Sequence, residues 1–76
     1  MLKEQEIIIL VGNNIRKIRK EKGITQEQLA YDCSFEKSTI SRIEAGRANL
    51  TLKTMIKLSQ SLGVEMKDLV DILQKD

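Results

Sequence analysis

The feature that most limits the fold of this chain is the stretch 25–44, in which two short helical patterns are joined by a tight corner. Thr25 is a suitable N-cap, and Gln28, three residues later, can complete a capping box. These two residues predict a helix that begins at Gln26. The apolar residues of that helix share one face, and they are Leu29, Ala30 and Cys33.

The second half of the stretch predicts another helix, because Ile40 and Ile43 lie three residues apart on one face. Between the helices Ser34 and Phe35 must turn the chain, and Phe35 offers an apolar side chain to the corner. The polar residues left for the outer faces of the second helix are Lys37, Ser38, Ser41 and Arg42. The pattern is therefore helix, turn, helix.

These residues resemble the helix-turn-helix of the Cro/repressor type, also called the XRE family of DNA-binding domains. The positions that carry the likeness are Gln26, Leu29, Ala30, Cys33, Phe35 and the run 40–46. The likeness extends from residues 14–19, through Gly23 and Thr25, to residues 62–64. It therefore covers most of the chain.

The resemblance implies an all-α fold: a compact five-helix bundle like the lambda-repressor DNA-binding domain, with the helix-turn-helix at helices 2 and 3. The length of 76 residues predicts one domain over residues 1–76. One position departs from the family pattern, since Ser34 stands in the turn where glycine is usual. A left-handed residue other than glycine costs about 1 kcal/mol, which the turn can tolerate.

The composition agrees with a soluble helical domain. Of 76 residues, 41% are hydrophobic, 32% are charged and 3% are aromatic, and proline is absent. The net charge is only +2, from 13 basic and 11 acidic residues, so nucleic-acid binding has to follow from where the charges lie.

Several functions are disfavoured by what the sequence lacks. One cysteine and no histidine exclude a disulfide framework within the chain and an ordinary zinc cluster, so no cofactor is expected. Cys33 is expected to be a core residue; the alternative, a redox thiol, lacks a partner cysteine. No catalytic motif is present, and the apolar run 7–11 is too short to span a membrane. We therefore expect a cytoplasmic protein that is not an enzyme.

The first helix is predicted from about Lys3 to Lys22, with Gly23 at its end. Its apolar positions are Ile7, Val11, Ile15 and Ile18. An edge strand over residues 7–11 is the local alternative. Gly12 should weaken the helix by roughly 1 kcal/mol relative to alanine. The extra apolar residues Ile8, Ile9 and Leu10 can pack on the C-terminal helix or contribute to a dimer interface.

After the corner, Gly46 is predicted near a helix end, and Leu50 is expected to point inward. Thr51 is a suitable N-cap for a helix over residues 52–62. Its predicted buried face comprises Leu52, Met55, Ile56, Ser59 and Leu62, with Leu58 at the border. A last helix over residues 65–73 has Met66, Leu69, Val70 and Leu73 as its apolar positions, with Ile72 outside them. A polar tail, Gln74-Lys75-Asp76, follows.

By the resemblance, the second helix of the motif reads base edges in the major groove. The candidate base-reading residues are Lys37, Ser38, Thr39, Ser41 and Arg42, with Arg42 first because arginine can bind guanine in bidentate fashion. The alternative is that these are solvated polar residues. The candidate phosphate-binding residues are Thr25, Gln26, Arg47, Asn49, Thr51 and Lys53. Lys17, Lys20 and Lys22 could serve DNA or simply form a solvated face.

The resemblance also implies an ion pair between Arg19 and Glu44 that joins the first and third helices. It implies a transcriptional regulator that binds double-stranded DNA as a homodimer on a pseudo-palindromic operator, with half-sites about 34 Å apart. The predicted dimer interface comprises Ile7, Ile8, Leu10, Leu69, Val70, Ile72 and Leu73. No membrane and no small-molecule ligand are expected as partners.

Within the family, the short length, the extended first helix and the run 49–54 resemble controller proteins of restriction-modification systems. Against this, Thr39 stands where several of those proteins carry tyrosine. An antitoxin and a small phage-type repressor are the alternatives. From a different class, a protein-interaction module on the same scaffold would need an apolar or acidic face where this chain has Lys37, Ser38, Ser41 and Arg42.

Overall fold

The protein folds as five α-helices in a computed structural model that describes residues 1–73. In chain order the helices are α1 Glu4–Glu21, α2 Gln26–Cys33, α3 Lys37–Glu44, α4 Leu52–Leu62 and α5 Met66–Leu69. Residues 1–73 contain no strand, so the all-α prediction is confirmed and the edge-strand alternative for residues 7–11 is wrong. The predicted polar tail, 74–76, lies outside the described residues.

The first helix begins and ends where its sequence signals lie. The N–H of Lys3 donates to the carboxylate of Glu6 at 2.9 Å, which supports the first turn. Gly23 follows the last turn in the left-handed conformation, with φ of +70°. The predicted apolar stripe faces the core from Val11 onward, since Val11 and Ile15 are buried whereas Ile7 is exposed.

Gly12 lies where α1 crosses α3. From sequence it was expected only to weaken the first helix, but the structure gives it a role in packing. A Cβ atom on Gly12 would overlap the backbone carbonyl oxygen of Ile43. The residue that weakens an isolated helix therefore permits the close contact between two helices.

The corner between α2 and α3 has the geometry that the sequence predicts. Thr25 accepts a hydrogen bond from the N–H of Gln28 at 3.1 Å, and the capping box is complete. Ser34 has φ of 58° and ψ of 39°, and it is the only non-glycine residue with positive φ in the described part of the chain. The N–H of Phe35 then donates to the carbonyl of Ala30 at 2.8 Å, which closes the end of α2.

The fourth helix buries only part of the predicted face: Ser59 and Leu62 are buried and Met55 packs against the core. Leu58, expected at the border, is fully buried, whereas Leu52 is 65% exposed and Ile56 is also exposed. The buried residues of α4 lie in its second half, which packs on α2 and α5. The first half of α4 therefore presents Leu52 and Ile56 to solvent.

The fifth helix is one turn long, so the prediction of a helix through Leu73 is wrong. The amide of Asn14 donates to the carbonyls of Asp68 and Leu69, at 2.8 and 2.9 Å. A longer helix would use these two carbonyls for the N–H groups of residues 72 and 73. Instead the N–H of Ile72 donates to the carbonyl of Val70 at 2.9 Å.

This early end changes which apolar residues of the C-terminal segment are buried. Leu69 is fully buried, and Ile72 packs against the core although it was placed outside the apolar stripe. Val70 and Leu73 are exposed. The core itself joins all five helices through Val11, Ile15, Leu29, Ala30, Cys33, Ile40, Ile43, Leu58, Leu62 and Leu69.

Candidate nucleic-acid interface

One face of α3 is polar and open to solvent, and the opposite face is buried. Ile40 is fully buried and Ile43 nearly so, which fixes the orientation of the helix. The five candidate base-reading residues lie on the remaining surface, where only Thr39 is half-buried: Lys37, Ser38, Thr39, Ser41 and Arg42. We call these five residues the reading face.

An open hollow of about 690 Å³ separates α3 from the end of α1 and the start of α2. Lys37 and Ser41 line it from α3, and Gln26 lines it from α2. Three further basic residues, Arg16, Arg19 and Lys20, line it from α1, and Glu27 adds one acidic residue from α2. The free N–H groups at the start of α2 add partial positive charge, so the hollow favours an anion such as a phosphate. Ser38, Thr39 and Arg42 do not line this hollow.

The wall of the hollow nearest the core contains an ion pair. Arg19 Nε lies 2.6 Å from Glu44 Oε2, and Arg19 also donates to Glu44 Oε1 at 3.1 Å. A third bond runs from Arg19 to the carbonyl of Ile24 at 2.8 Å. Because both side chains are almost completely buried, the pair joins α1, the turn after it and α3 within the core.

Gln26 joins the same network at the C-terminal end of α3. Its Nε2 donates to Glu44 Oε1 at 3.0 Å. Gln26 therefore braces the end of α3, where Glu44 is the last residue, and not its start. A carboxamide has a second N–H, which is the group that can donate to a phosphate oxygen in the hollow.

The two threonine caps use their hydroxyl groups within their own helices. Thr25 Oγ1 lies 3.1 Å from the N–H of Gln28 and 3.2 Å from its side-chain oxygen. Thr51 Oγ1 accepts from the N–H of Thr54 at 3.1 Å and donates to its hydroxyl at 3.0 Å. Any phosphate bound at these helix starts would consequently meet backbone N–H groups rather than the threonine hydroxyls.

The remaining phosphate candidates lie in the loop between α3 and α4 and just after it. Arg47, Asn49 and Lys53 are all exposed. The N–H of Arg47 donates to the carbonyl of Arg42 at 2.9 Å, which places the loop beside the last turn of α3. The structure therefore brings Arg47 next to the reading face, and Lys53 follows on α4.

Two residues that matter here were missed from the sequence. Arg16 lines the hollow but was not among the DNA-binding candidates, although its position one turn before Lys20 indicates a shared helix face. Asn14 was also missed. It lies on the apolar stripe of α1 between Val11 and Ile15, and a polar residue in that position signals a buried hydrogen bond.

Cys33 has the character of a core residue. It is 2% exposed, and its sulfur lies 3.3 Å from the hydroxyl of Ser61. Burial raises the pKa of the Cys33 thiol, so the reactive thiolate is disfavoured at neutral pH. Among residues 1–73 no group of side chains could hold a metal ion. Within the same residues, no helix has both the length and the apolar character needed to cross a bilayer.

Comparison with known proteins places the chain among helix-turn-helix proteins. A family model described as Helix-turn-helix (HTH_3) matches residues 15–69. The control protein C.BamHI of Bacillus amyloliquefaciens is 42% identical over 66 residues, which are 86% of this chain and 82% of that protein. The HTH-type transcriptional regulator y4dJ of Sinorhizobium fredii is 43% identical over 61 residues, 80% of this chain and 79% of the regulator.

A solved structure is similar over nearly its whole length. The restriction-modification controller protein C.AhdI of Aeromonas hydrophila superposes with a TM-score of 0.79 at 31% identity, covering 82% of this chain and 94% of the controller protein.

Proposed function

Since the chain belongs to the helix-turn-helix family of the Cro/repressor (XRE) type, we propose that it is a sequence-specific transcriptional regulator that binds double-stranded DNA. It would do so as one DNA-binding domain over residues 1–76, in the cytoplasm. The observation that carries the proposal is the reading face, which lies exposed beside a hollow with basic residues and a helix N-terminus.

Base contacts and phosphate contacts are divided between the two sides of this site. Residues of the reading face enter the major groove, where Arg42 or Lys37 donates to guanine O6 and N7. On one side the hollow holds a phosphate between the start of α2 and the basic residues Arg16 and Lys20. On the other side Arg47, Asn49 and Lys53 hold phosphates of the neighbouring backbone.

The protein acts as a homodimer on a pseudo-palindromic operator, because one small reading head distinguishes few base pairs. Support comes from five exposed apolar residues that we call the apolar face: Ile7, Leu52, Ile56, Val70 and Leu73. Ile7 and Val70 line one hollow together with Met55, which neighbours Ile56 on α4. A second copy of the chain is the partner that covers this face.

The proposed interface differs from the one expected from sequence. Leu69 is fully buried in the core of the chain, so it cannot contact a partner. Ile8, Leu10 and Ile72 are half-buried and can contribute only at the edge. Leu52 and Ile56, which were assigned to the core, join the interface instead.

Among regulators, the role of a controller protein in a restriction-modification system has the most support. C.BamHI and C.AhdI are named as controller or control proteins, and this chain covers most of the length of both. The alternatives are an antitoxin and a phage-type repressor. These three roles can be distinguished by locating the selected operator in the genome and identifying the genes that flank it.

The decisive experiment is selection of binding sites from random duplexes at near-physiological salt. We expect a palindromic consensus, with affinity falling steeply as salt rises. Arg42→Ala should weaken binding to the consensus by about 1–3 kcal/mol and relax the preference at one position of each half-site. Lys53→Ala is the matched control, since losing a phosphate contact weakens all sequences alike and lowers the salt slope by about 1.

The same experiment distinguishes the rival class. A protein-interaction module on this scaffold would select no consensus, and its weak binding to duplexes would be the same for the wild type and for Arg42→Ala. That result would overturn the proposed function.

A further inference from the structure

The N-terminal turn of α1 reaches the loop that carries Arg47, although the two are far apart in sequence. Gln5 Nε2 donates to the carbonyl oxygen of Gly46 at 3.1 Å, across 41 positions of the chain. Residues 4–14 precede the region that matches the family model, which begins at residue 15. The contact therefore comes from a part of this chain that the family pattern does not include.

The contact acts on one peptide group, the one between Gly46 and Arg47. Its carbonyl accepts from Gln5, and its N–H donates to the carbonyl of Arg42 at 2.9 Å. Because a peptide group is planar, fixing both polar ends fixes the direction in which the chain enters Arg47.

Packing on the same side reinforces these bonds. Gly46 has φ of +73°, and a Cβ atom there would lie 2.7 Å from the Ile9 side chain and 2.8 Å from its Cα. Ile8 lines a small hollow together with Gln5, Arg47 and residues 48–49. One turn of α1 thus forms the support behind the loop, while Arg47 itself stays exposed.

From this geometry we infer that Gln5 is a positioning residue for DNA binding, which holds the Gly46–Arg47 peptide so that Arg47 is pre-set for a phosphate or base edge. Gln5 does not touch DNA. A side chain held in its bound geometry before binding loses less conformational freedom on association. The hydrogen bond from Gln5 should therefore increase the affinity for DNA. The inference rests on the proposed function, since it assumes that Arg47 contacts DNA.

The first test uses the free protein, so its result does not depend on DNA binding. In Gln5→Ala we expect faster amide hydrogen exchange at Arg47 and lower backbone order parameters over residues 46–49, measured by NMR. Gln60→Ala, which removes an exposed helical glutamine from α4, is the matched control and should leave these signals unchanged. Unchanged exchange and order at Arg47 in Gln5→Ala would overturn the inference whatever the protein binds.

The second test is a double-mutant cycle on the selected operator. Gln5→Ala should raise Kd by about 3- to 10-fold, the range expected for one net hydrogen bond. In an Arg47→Ala background the same change should have no effect, because no arginine is left to position. An equal loss in both backgrounds would mean that Gln5 acts through general stability and would overturn the inference. If the wild type selects no operator, the proposed function fails, and the NMR arm still decides whether Gln5 orders the loop.

Discussion

The junction between α1 and α3 and the apolar face on α1, α4 and the C-terminal segment lie on the same small bundle but are built in opposite ways. At the junction, Arg19 and Glu44 are buried and fully engaged, and Gly12 lets the helices touch. At the apolar face, Leu52 is 65% exposed and Leu73 is 76% exposed. The first region is complete within one chain, and the second leaves apolar surface for something else to cover.

The difference indicates which function each region serves. A buried ion pair with every partner in place holds the reading face in one orientation, although it need not be the most stabilising choice. Exposed leucine and isoleucine side chains contribute little to the stability of a single chain, and under the proposed function they serve the contact with a second copy. Substitutions in the first region should therefore change folding at any protein concentration, and substitutions in the second should change assembly.

Breaking the ion pair between Arg19 and Glu44 should cause the greatest loss of folding stability. Glu44→Ala leaves the buried guanidinium of Arg19 without its carboxylate, and we expect the free energy of unfolding to fall by about 3 kcal/mol or more. Urea unfolding at several protein concentrations measures this. The control is Glu36→Ala, which removes an exposed acidic residue at the start of α3 and should cost far less. A loss that disappeared at high protein concentration would contradict the assignment of this pair to folding.

Adding a methyl group at the contact between α1 and α3 should cause the next largest loss of folding stability. Gly12→Ala gains about 1 kcal/mol of helix propensity. The added methyl group overlaps the carbonyl of Ile43, so we expect a net loss of about 2 kcal/mol. Asn13→Ala, at the exposed neighbouring position, is the control and should be neutral or slightly stabilising. Thermal unfolding followed by circular dichroism compares the two, and a more stable Gly12→Ala would show that the helices do not touch as described.

Charging the apolar face should leave folding intact and weaken assembly. Leu73→Asp, alone and with Ile56→Asp, should raise the dimer dissociation constant about tenfold or more, since a carboxylate in an apolar contact must lose its water. Sedimentation equilibrium gives the constant. Tyr31→Asp changes an exposed aromatic residue on α2, outside the apolar face, and should have no effect on assembly. If all variants assemble like the wild type, the second copy does not cover this face.

Relieving the backbone strain at Ser34, between α2 and α3, should give a small gain in folding stability. Ser34 holds φ of 58°, which costs a non-glycine residue about 1 kcal/mol or more. Ser34→Gly removes that cost but increases the freedom of the unfolded chain, so a net gain of about 0.5 kcal/mol is expected. Ser38→Gly, in the middle of a helical turn, should instead lose about 0.5 kcal/mol. Urea midpoints of the two variants should therefore move in opposite directions.

The helix-turn-helix, which packs on α1 at the junction, could be predicted well from sequence because its signals are local. The capping box at Thr25, the left-handed Ser34 and the apolar pair on α3 each depend on residues within a few positions. The partnership of Arg19 with Glu44 is a long-range contact, and its prediction came from the family resemblance rather than from any local pattern.

The apolar face was predicted poorly because the end of α5 and the burial of α4 depend on contacts with residues distant in sequence. Local periodicity extends the last helix to Leu73, but its carbonyls accept from Asn14, which lies more than fifty positions earlier. Likewise the period of α4 does not reveal that its fully buried residues lie in its second half, so Leu58 is buried where Leu52 was expected to be. The bond from Gln5 to Gly46 has no sequence signal at all.

The two bonds from Asn14 have a consequence for the spacing of an operator. They tie the end of α5, and with it the apolar face, to the same helix that packs against α3. In a dimer joined through that face, the two reading heads are parts of one rigid frame with a fixed separation and twist. One extra base pair between half-sites rotates the second site by about 35° and shifts it by about 3.4 Å. If the proposed dimer forms through that face, such a frame cannot follow that rotation, and the dimer then responds to helical phase as well as to sequence.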